Sequence, residues 1–404
     1  MKVNAIVAEY NPFHNGHTYQ IKDAKENTGA DYTIAIMSGN FVQRGEPAIM
    51  DKYVRAKNAL KNGADLVLEL SPLISSSSAG YFGEGAVVNL SKLGVVDTLC
   101  FGAEEADKDL FKKAARILSE NDPALNNSIK ENLKEGLSYA AAREKALTEI
   151  HDFDKRIISD PNNILALEYE TAILNHKTGF ETYITKRNDP GYNSLDLEGE
   201  TASALAVRKL IQERKWAEIA KFVPKETDAI DFSELVFKDD ISSFLHYKLL
   251  SESIDGFDKY HDISKDLSER ICNKLSEFTT FSGFCDSLKT KNTAYSTISR
   301  GLLHIFLDIK KETVSEYKEN GYAKYIKVLG FNKSAAPLLK KIADWGSVPL
   351  ITGKNDYDKY IHKDEKLRAL YLEEMRIDRN YDLILNKKFS RPIISDFSKE
   401  PVIM

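Results

Sequence analysis

Short apolar runs alternate with amphipathic stretches through the first hundred residues, and no other feature of the chain restricts its fold as much. "VNAIVAEY" (3–10) is apolar and β-branched, while "HTYQIKDAKENTG" (17–29) has helical spacing and ends on a glycine. "YTIAIMSG" (32–39) reads as a second buried strand, "DKYVRAKNALKNG" (51–63) as a helix and "ADLVLEL" (64–70) as a third strand. After a serine-rich turn at 75–78 come a helix, "EGAVVNLSKLG" (84–94), and a fourth strand, "VDTLCFGAE" (97–104). Apolar runs separated by helices of about 10–15 residues are the pattern of βαβ units, whose parallel strands are buried on both faces. The expected fold is α/β, a doubly wound, Rossmann-like parallel sheet.

The pattern continues as a helix with Pro161 near its start ("PNNILALEYETAILNH", 161–176), a fifth strand (180–189) and a helix (201–215), so the sheet is expected to close near residue 220. Residues 106–150 are rich in Lys, Glu, Ala and Leu and read as a helical insertion. From about 230 helical patterns dominate, with little strand signal before residue 325. The expected division is an α/β unit over 1–225 and a mostly α-helical domain over 226–404.

Bulk properties remove several classes. With 404 residues and 42% hydrophobic content the chain can bury a full core. A net charge of −5 argues against an overall polyanion binder, so any nucleic-acid site must be a local patch. Cys100, Cys272 and Cys285 are too few and scattered for a disulfide framework or zinc ribbon. The amino-terminal apolar run is cut short by Glu9, and no stretch approaches ~18 consecutive apolar residues, so neither a signal peptide nor a membrane span is expected and the protein reads as cytoplasmic.

Two of the eight histidines, His14 and His17, stand three apart around Gly16 in "EYNPFHNGH", directly after the first strand. Ligands of open α/β sheets bind at the carboxyl ends of strands, beside helix N-termini whose unpaired N–H groups suit a phosphate. Gly16 allows close backbone approach, and histidines on one helical turn point the same way. A zinc site needs three or four ligands, and no HExxH or CxxC accompanies the pair. A phosphate site, a metal site and a turn without chemistry all remain open on the residues alone.

"HNGH" after "VAEYNPF" resembles the HxGH motif of the nucleotidyltransferase superfamily. With "MSGNFVQRGEPA" (37–48), "FGAE" (101–104), "PNNILALEY" (161–169) and "SALAVRK" (203–209), the chain closely resembles the bacterial tRNA(Met) cytidine acetate ligase family. The likeness extends more weakly through "LKTKN" (288–292) and "YIKVLGF" (325–331). It implies that ATP and acetate form acetyl-adenylate, and that the acetyl group passes to N4 of the wobble cytidine of elongator tRNA(Met). It places ATP along Val7, Ala8, Glu9, Tyr10, Asn11, Pro12, Phe13, His14, Asn15, Gly16, His17, Thr18, Tyr19 and Gln20, with His14 and His17 as the catalytic pair at the phosphates. It also implies that Gly102 leaves room for the nucleotide, that Asn162 or Asn163 and Arg187 contact ATP, and that Ser203 and Arg208 belong to a triphosphate-binding segment. In that segment Leu205 replaces a usual threonine.

The residue types suit this chemistry. An ionised carboxylate attacking the α-phosphorus needs charge neutralisation and alignment, not a general base, and imidazole donors can steady the growing charge. Mg²⁺ ordinarily accompanies a triphosphate, yet no distinctive protein ligand for it stands out. Gln43 and Arg44 follow the second strand and can face acetate, adenylate or tRNA. Lys289, Lys291 and Arg300, with Tyr295, are the candidate tRNA contacts, and Lys340, Lys341 and Trp345 form a second basic-aromatic stretch. A small-molecule nucleotidyltransferase and a non-catalytic nucleotide- or RNA-binding module are the alternatives. The first predicts a shorter chain.

Overall fold

Five parallel strands form the centre of the structure: β1 (Val3–Ala8), β2 (Tyr32–Ser38), β5 (Leu66–Leu70), β6 (Thr98–Ala103) and β7 (Glu181–Lys186), in the order β5-β2-β1-β6-β7. A computed structural model describes residues 1–120, 122–135, 137, 139–151, 153, 157–158, 160–187, 202–225 and 234–404. Successive strand side chains point to opposite faces, and both faces are apolar here. Val3, Ala5, Ile34, Ile36, Leu66, Leu68 and Leu99 lie on one, and Ile6, Ala8, Ala35, Met37, Val67 and Cys100 on the other. The second face packs on α1 (Asn15–Thr28) and α2 (Lys52–Lys61). The first is covered by α3 (Ala79–Ser91) and α4 (Pro161–His176).

The helices stop where the sequence offers stops. The chain leaves α1 through Gly29 at φ +63°, whose N–H caps the carbonyl of Lys25. Asp51 caps the start of α2 by accepting from the Tyr53 N–H. A further helix, α5 (Ala204–Gln212), begins at Ser203, whose hydroxyl accepts from the Ala206 N–H.

The sheet does not close near residue 220. β8 (Ile326–Phe331) pairs antiparallel with β5, and β9 (Leu350–Ile351) and β10 (Val402–Ile403) each pair parallel with β8. Between these strands the chain is mainly helical, and α6 (Tyr295–Leu307) and α7 (Glu365–Phe389) send Leu302, Leu303, Ile377 and Tyr381 into the core of the first face. The region 106–150 is helical as expected; Phe111, Ala114, Leu125 and Leu147 join that same core. The division expected at 225/226 borders residues 226–233, which lie outside the described residues, as do residues 188–201.

A hairpin of β3 (Phe41–Val42) and β4 (Glu46–Pro47) follows β2. At its tip Gly45 has φ +79°, and its carbonyl accepts from the Ser299 hydroxyl of α6 at 2.9 Å. A carboxy-terminal helix therefore holds the hairpin that carries Gln43 and Arg44.

Candidate active site at the β1–β6 switch point

From β1 the chain winds outward through β2 to β5, then crosses to β6 on the other side of β1. Strand order reverses at that point, which is where open α/β sheets leave a crevice. An open cleft lies there, lined by the ends of β1 (Val7, Ala8) and β6 (Phe101, Gly102) and by Arg187 after β7. Glu9, Tyr10, Asn11, His14, His17, Gln20, Gln43, Arg44, Asn162 and Arg208 also line it.

His14 is the N-cap of α1. Its Nδ1 accepts from the Gly16 N–H at 3.1 Å, and His17 Nδ1 accepts from the His14 N–H at 3.2 Å. This is a capping box made of imidazoles. A neutral imidazole that accepts through Nδ1 carries its proton on Nε2. Both rings are thereby fixed as Nε2–H donors. They stack at 3.7 Å between centroids, 25° apart, and Tyr10 and Phe13 pack on His17.

Burial, followed by the guanidinium charges of Arg187 and Arg208, pulls the His14 pKa down to about 3. Burial, His14 and Arg187 push His17 well below its ordinary value. Both rings are neutral near pH 7. Gly16 owes its place to the first ring, since a Cβ there would stand 2.9 Å from His14 Cε1.

The cations are anchored to the same framework. Arg208 donates to the Asn11 carbonyl at 2.6 Å and stands 3.8 Å from Glu46. Asn11 Oδ1 accepts from the Ile49 N–H at 2.8 Å. Buried Arg55 joins the ends of β1 and β2 by donating to the carbonyls of Glu9, Ser38 and Gly39. It sits inside a stretch that reads simply as an amphipathic helix, so its role was missed in the sequence.

The other expected residues sort by position. A Cβ on Gly102 would meet Arg187 at 3.5 Å and Gln20 at 3.7 Å, ordinary contacts, so the protein could hold a side chain there and the glycine leaves that space to the cleft. Asn162 lines the cleft and donates to Glu104 at 2.5 Å. Asn163 is fully buried and accepts from the Glu105 N–H. Ser203 is the cap of α5, and Asn15 donates to the Lys221 carbonyl. Phe13 is buried, Pro12 follows a cis peptide, and the Thr18 hydroxyl is 3.5 Å from Asn62 while Tyr19 stands half exposed. Phe82, Leu165, Tyr169 and Ala204 line the cleft unannounced, as does Leu205, which the sequence marks only as replacing a threonine. Leu205 and Ala204 lie in the segment that carries Arg208, the one available signal for them.

A family model described as HIGH Nucleotidyl Transferase matches residues 1–393. The tRNA(Met) cytidine acetate ligase of Thermosipho melanesiensis is 37% identical over 373 residues, covering 90% of this chain and 87% of that protein. The one from Clostridium novyi is 34% identical with both chains covered completely. The chain belongs to the tRNA(Met) cytidine acetate ligase family. Thermotoga maritima TmcAL bound with alpha-thio ATP superposes over 100% of both chains with a TM-score of 0.91 at 32% identity, and its apo form does so at 0.93.

The candidate tRNA residues separate. Lys289 and Lys291 are exposed between two helices, Lys289 lying 3.5 Å from Asp286. Arg300 lies in α6, largely buried, with its Nε donating to Asp262 at 2.7 Å, so its guanidinium is held by a carboxylate where the two lysines stand exposed. Lys340 and Trp345 are exposed, and Lys341 Nζ lies 5.1 Å from the Trp345 ring centre. No helix among the described residues is long and apolar enough to cross a membrane.

Proposed function

We propose that the chain binds ATP in this cleft, joins acetate to its α-phosphate with loss of pyrophosphate, and passes the acetyl group to N4 of the wobble cytidine of elongator tRNA(Met). The observation that carries the reading is the imidazole pair, neutral and fixed as Nε2–H donors beside Arg187 and Arg208. Such donors strengthen as phosphoryl charge builds and need no reorganisation at the moment of reaction. His14 and His17 serve as charge-steadying donors rather than bases, because their Nδ1 lone pairs are already spent on backbone N–H groups. Val7, Ala8, Tyr10, Asn11, Gln20, Gly102, Asn162 and Arg187 surround the nucleotide. Gln43 and Arg44 face the acetyl group or the tRNA.

The relatives' names support tRNA(Met) as the acceptor, and the ATP analogue bound to the Thermotoga protein supports ATP in the cleft. Mg²⁺ enters with the triphosphate. Among the described residues no three His, Cys, Asp or Glu side chains gather to hold a metal, so the ion is proposed to ride on phosphate oxygens and water, and no step is derived through it. Residues 226–404 would hold the tRNA through Lys289 and Lys291, and the reaction belongs in the cytoplasm with its substrate. Incubation with ATP and labelled acetate should release pyrophosphate and form acetyl-adenylate without tRNA, and should yield AMP and N4-acetylcytidine when cognate tRNA is added. Folded protein that makes no acetylcytidine overturns the reading.

A further inference from the structure

Acyl transfer to cytosine raises a demand that adenylate formation does not. The exocyclic amine attacks the acetyl carbonyl, and its nitrogen must then lose a proton. The histidines cannot take it, since each Nδ1 accepts a backbone N–H and each Nε2 carries a hydrogen. Tyr10 cannot either, because burial raises its phenol above the ordinary value and keeps it neutral. Glu9 is the only carboxylate among the described residues lining the cleft. One of its oxygens, Oε1, accepts from the Gln43 N–H at 2.7 Å, which fixes the carboxylate beside the hairpin. The other oxygen has no hydrogen-bond partner among the described residues.

We infer that Glu9 is the general base of the transfer step, accepting the N4 proton through its free oxygen. This rests on the proposed function. The N4–C bond forms as the carbonyl π pair moves to oxygen; the amine proton passes to the Glu9 carboxylate; the oxyanion collapses, the acyl C–O bond to phosphate breaks, and AMP leaves with that electron pair. Glu9 then returns the proton to solvent through the open cleft. An amine whose lone pair is shared with the cytosine ring becomes strongly acidic once acylated, so a carboxylate is a sufficient acceptor.

The surroundings suit a base whose affinity for protons is above that of an ordinary carboxylate. Burial raises the Glu9 pKa, partly offset by the Gln43 N–H and the charges of Arg208 and Arg44, while Glu46 raises it further. Arg55 donates to the Glu9 backbone carbonyl and makes no hydrogen bond to its carboxylate.

The test separates the two half-reactions in the full-length protein. Acetate-dependent exchange of pyrophosphate into ATP reads adenylation, and single-turnover acetylation of tRNA by preformed acetyl-adenylate reads transfer. Glu9→Gln preserves an acceptor for the Gln43 N–H and removes the base. It should lower transfer at least 100-fold more than exchange. Wild-type transfer should rise with pH through an acidic limb, displaced above the ordinary carboxylate value, that Glu9→Gln lacks and exchange does not share. Equal losses in both steps, or an acidic limb retained in Glu9→Gln, overturns the assignment. If that variant does not fold, Glu9→Asp decides: a displaced acidic limb supports the base role, and a limb unchanged from wild type overturns it. A wild-type protein that forms no acetylcytidine refutes the functional reading instead.

Discussion

The cleft and the turn at Lys289–Lys291 both offer positive or donating groups to phosphates, but they are built in opposite ways. In the cleft the imidazoles and Arg208 are tied to backbone: His14 and His17 to N–H groups at the first turn of α1, and Arg208 to the Asn11 carbonyl, with buried Arg55 behind them on three strand-end carbonyls. At the turn the lysines are exposed, and Lys289 has a loose ionic neighbour in Asp286 and lies 5.9 Å from the Tyr295 ring centre. Anchored donors in a buried site act through geometry and resist salt, whereas exposed lysines act through their field and are screened within about 10 Å at ordinary ionic strength. The first kind suits a transition state and the second a polyanion. Variants in the two regions should therefore fail differently.

The largest effect is expected from His17→Ala. It removes a donor aimed at developing phosphoryl charge, for which losses of about 100- to 1,000-fold are typical, and acetate-dependent pyrophosphate exchange should fall by that order. Loss of the cap to the His14 N–H should cost about 1 kcal/mol in a denaturation curve. Binding of tRNA, read by filter retention, should stay as it was. A parallel loss of tRNA binding would break the division between the regions.

Gly16→Ala comes next. The added methyl collides with the His14 ring, and relieving it means tilting that ring off its cap, at about 1–3 kcal/mol of strain. Exchange activity should fall at least about tenfold with the histidines both present, which distinguishes ring placement from ring chemistry. A smaller effect follows from pH. Both imidazoles are held neutral in the folded state while an unfolded histidine titrates near its ordinary value of 6.5. The unfolded chain therefore takes up protons that the folded one refuses. Their contribution is complete above that value and is lost as pH falls towards about 3 for His14. Between about pH 6.5 and 5.5 each should remove roughly 1 kcal/mol of stability. Denaturation midpoints for His14→Gln against wild type check this: the variant should lose less over that interval.

How much of this could be read in the sequence follows from how local each feature is. β1, β2, β5 and β6 announce themselves as apolar runs between capped helices, and the histidine pair declares its turn, because those signals lie within a few residues. β8 joins the sheet against β5 across some 260 residues, and nothing in "YIKVLGF" states which edge it will meet. Asn162 and Asn163 are equivalent as letters, and only the helical rotation of α4 turns one to the cleft and buries the other. Arg300 looked like a surface cation because a buried arginine can be recognised only once its carboxylate, Asp262, is brought to it from elsewhere in the chain.

The smallest effect is expected at the lysines, and it is the sharpest probe of the comparison. Two lysines that contact phosphates release counterions on binding, so removing both should lower the slope of log affinity against log salt by about 1–2. Lys289→Ala with Lys291→Ala should weaken tRNA binding only several-fold near physiological salt, since the remaining contacts hold the acceptor. The loss should widen as salt is lowered and shrink as it is raised, which is how screened charge behaves and anchored geometry does not. Exchange activity without tRNA should match wild type at every salt concentration, because neither lysine reaches the cleft. An unchanged salt slope would show that these lysines are merely solvated surface and move the tRNA contact elsewhere, with the exposed Lys340 and Trp345 as the next positions to test.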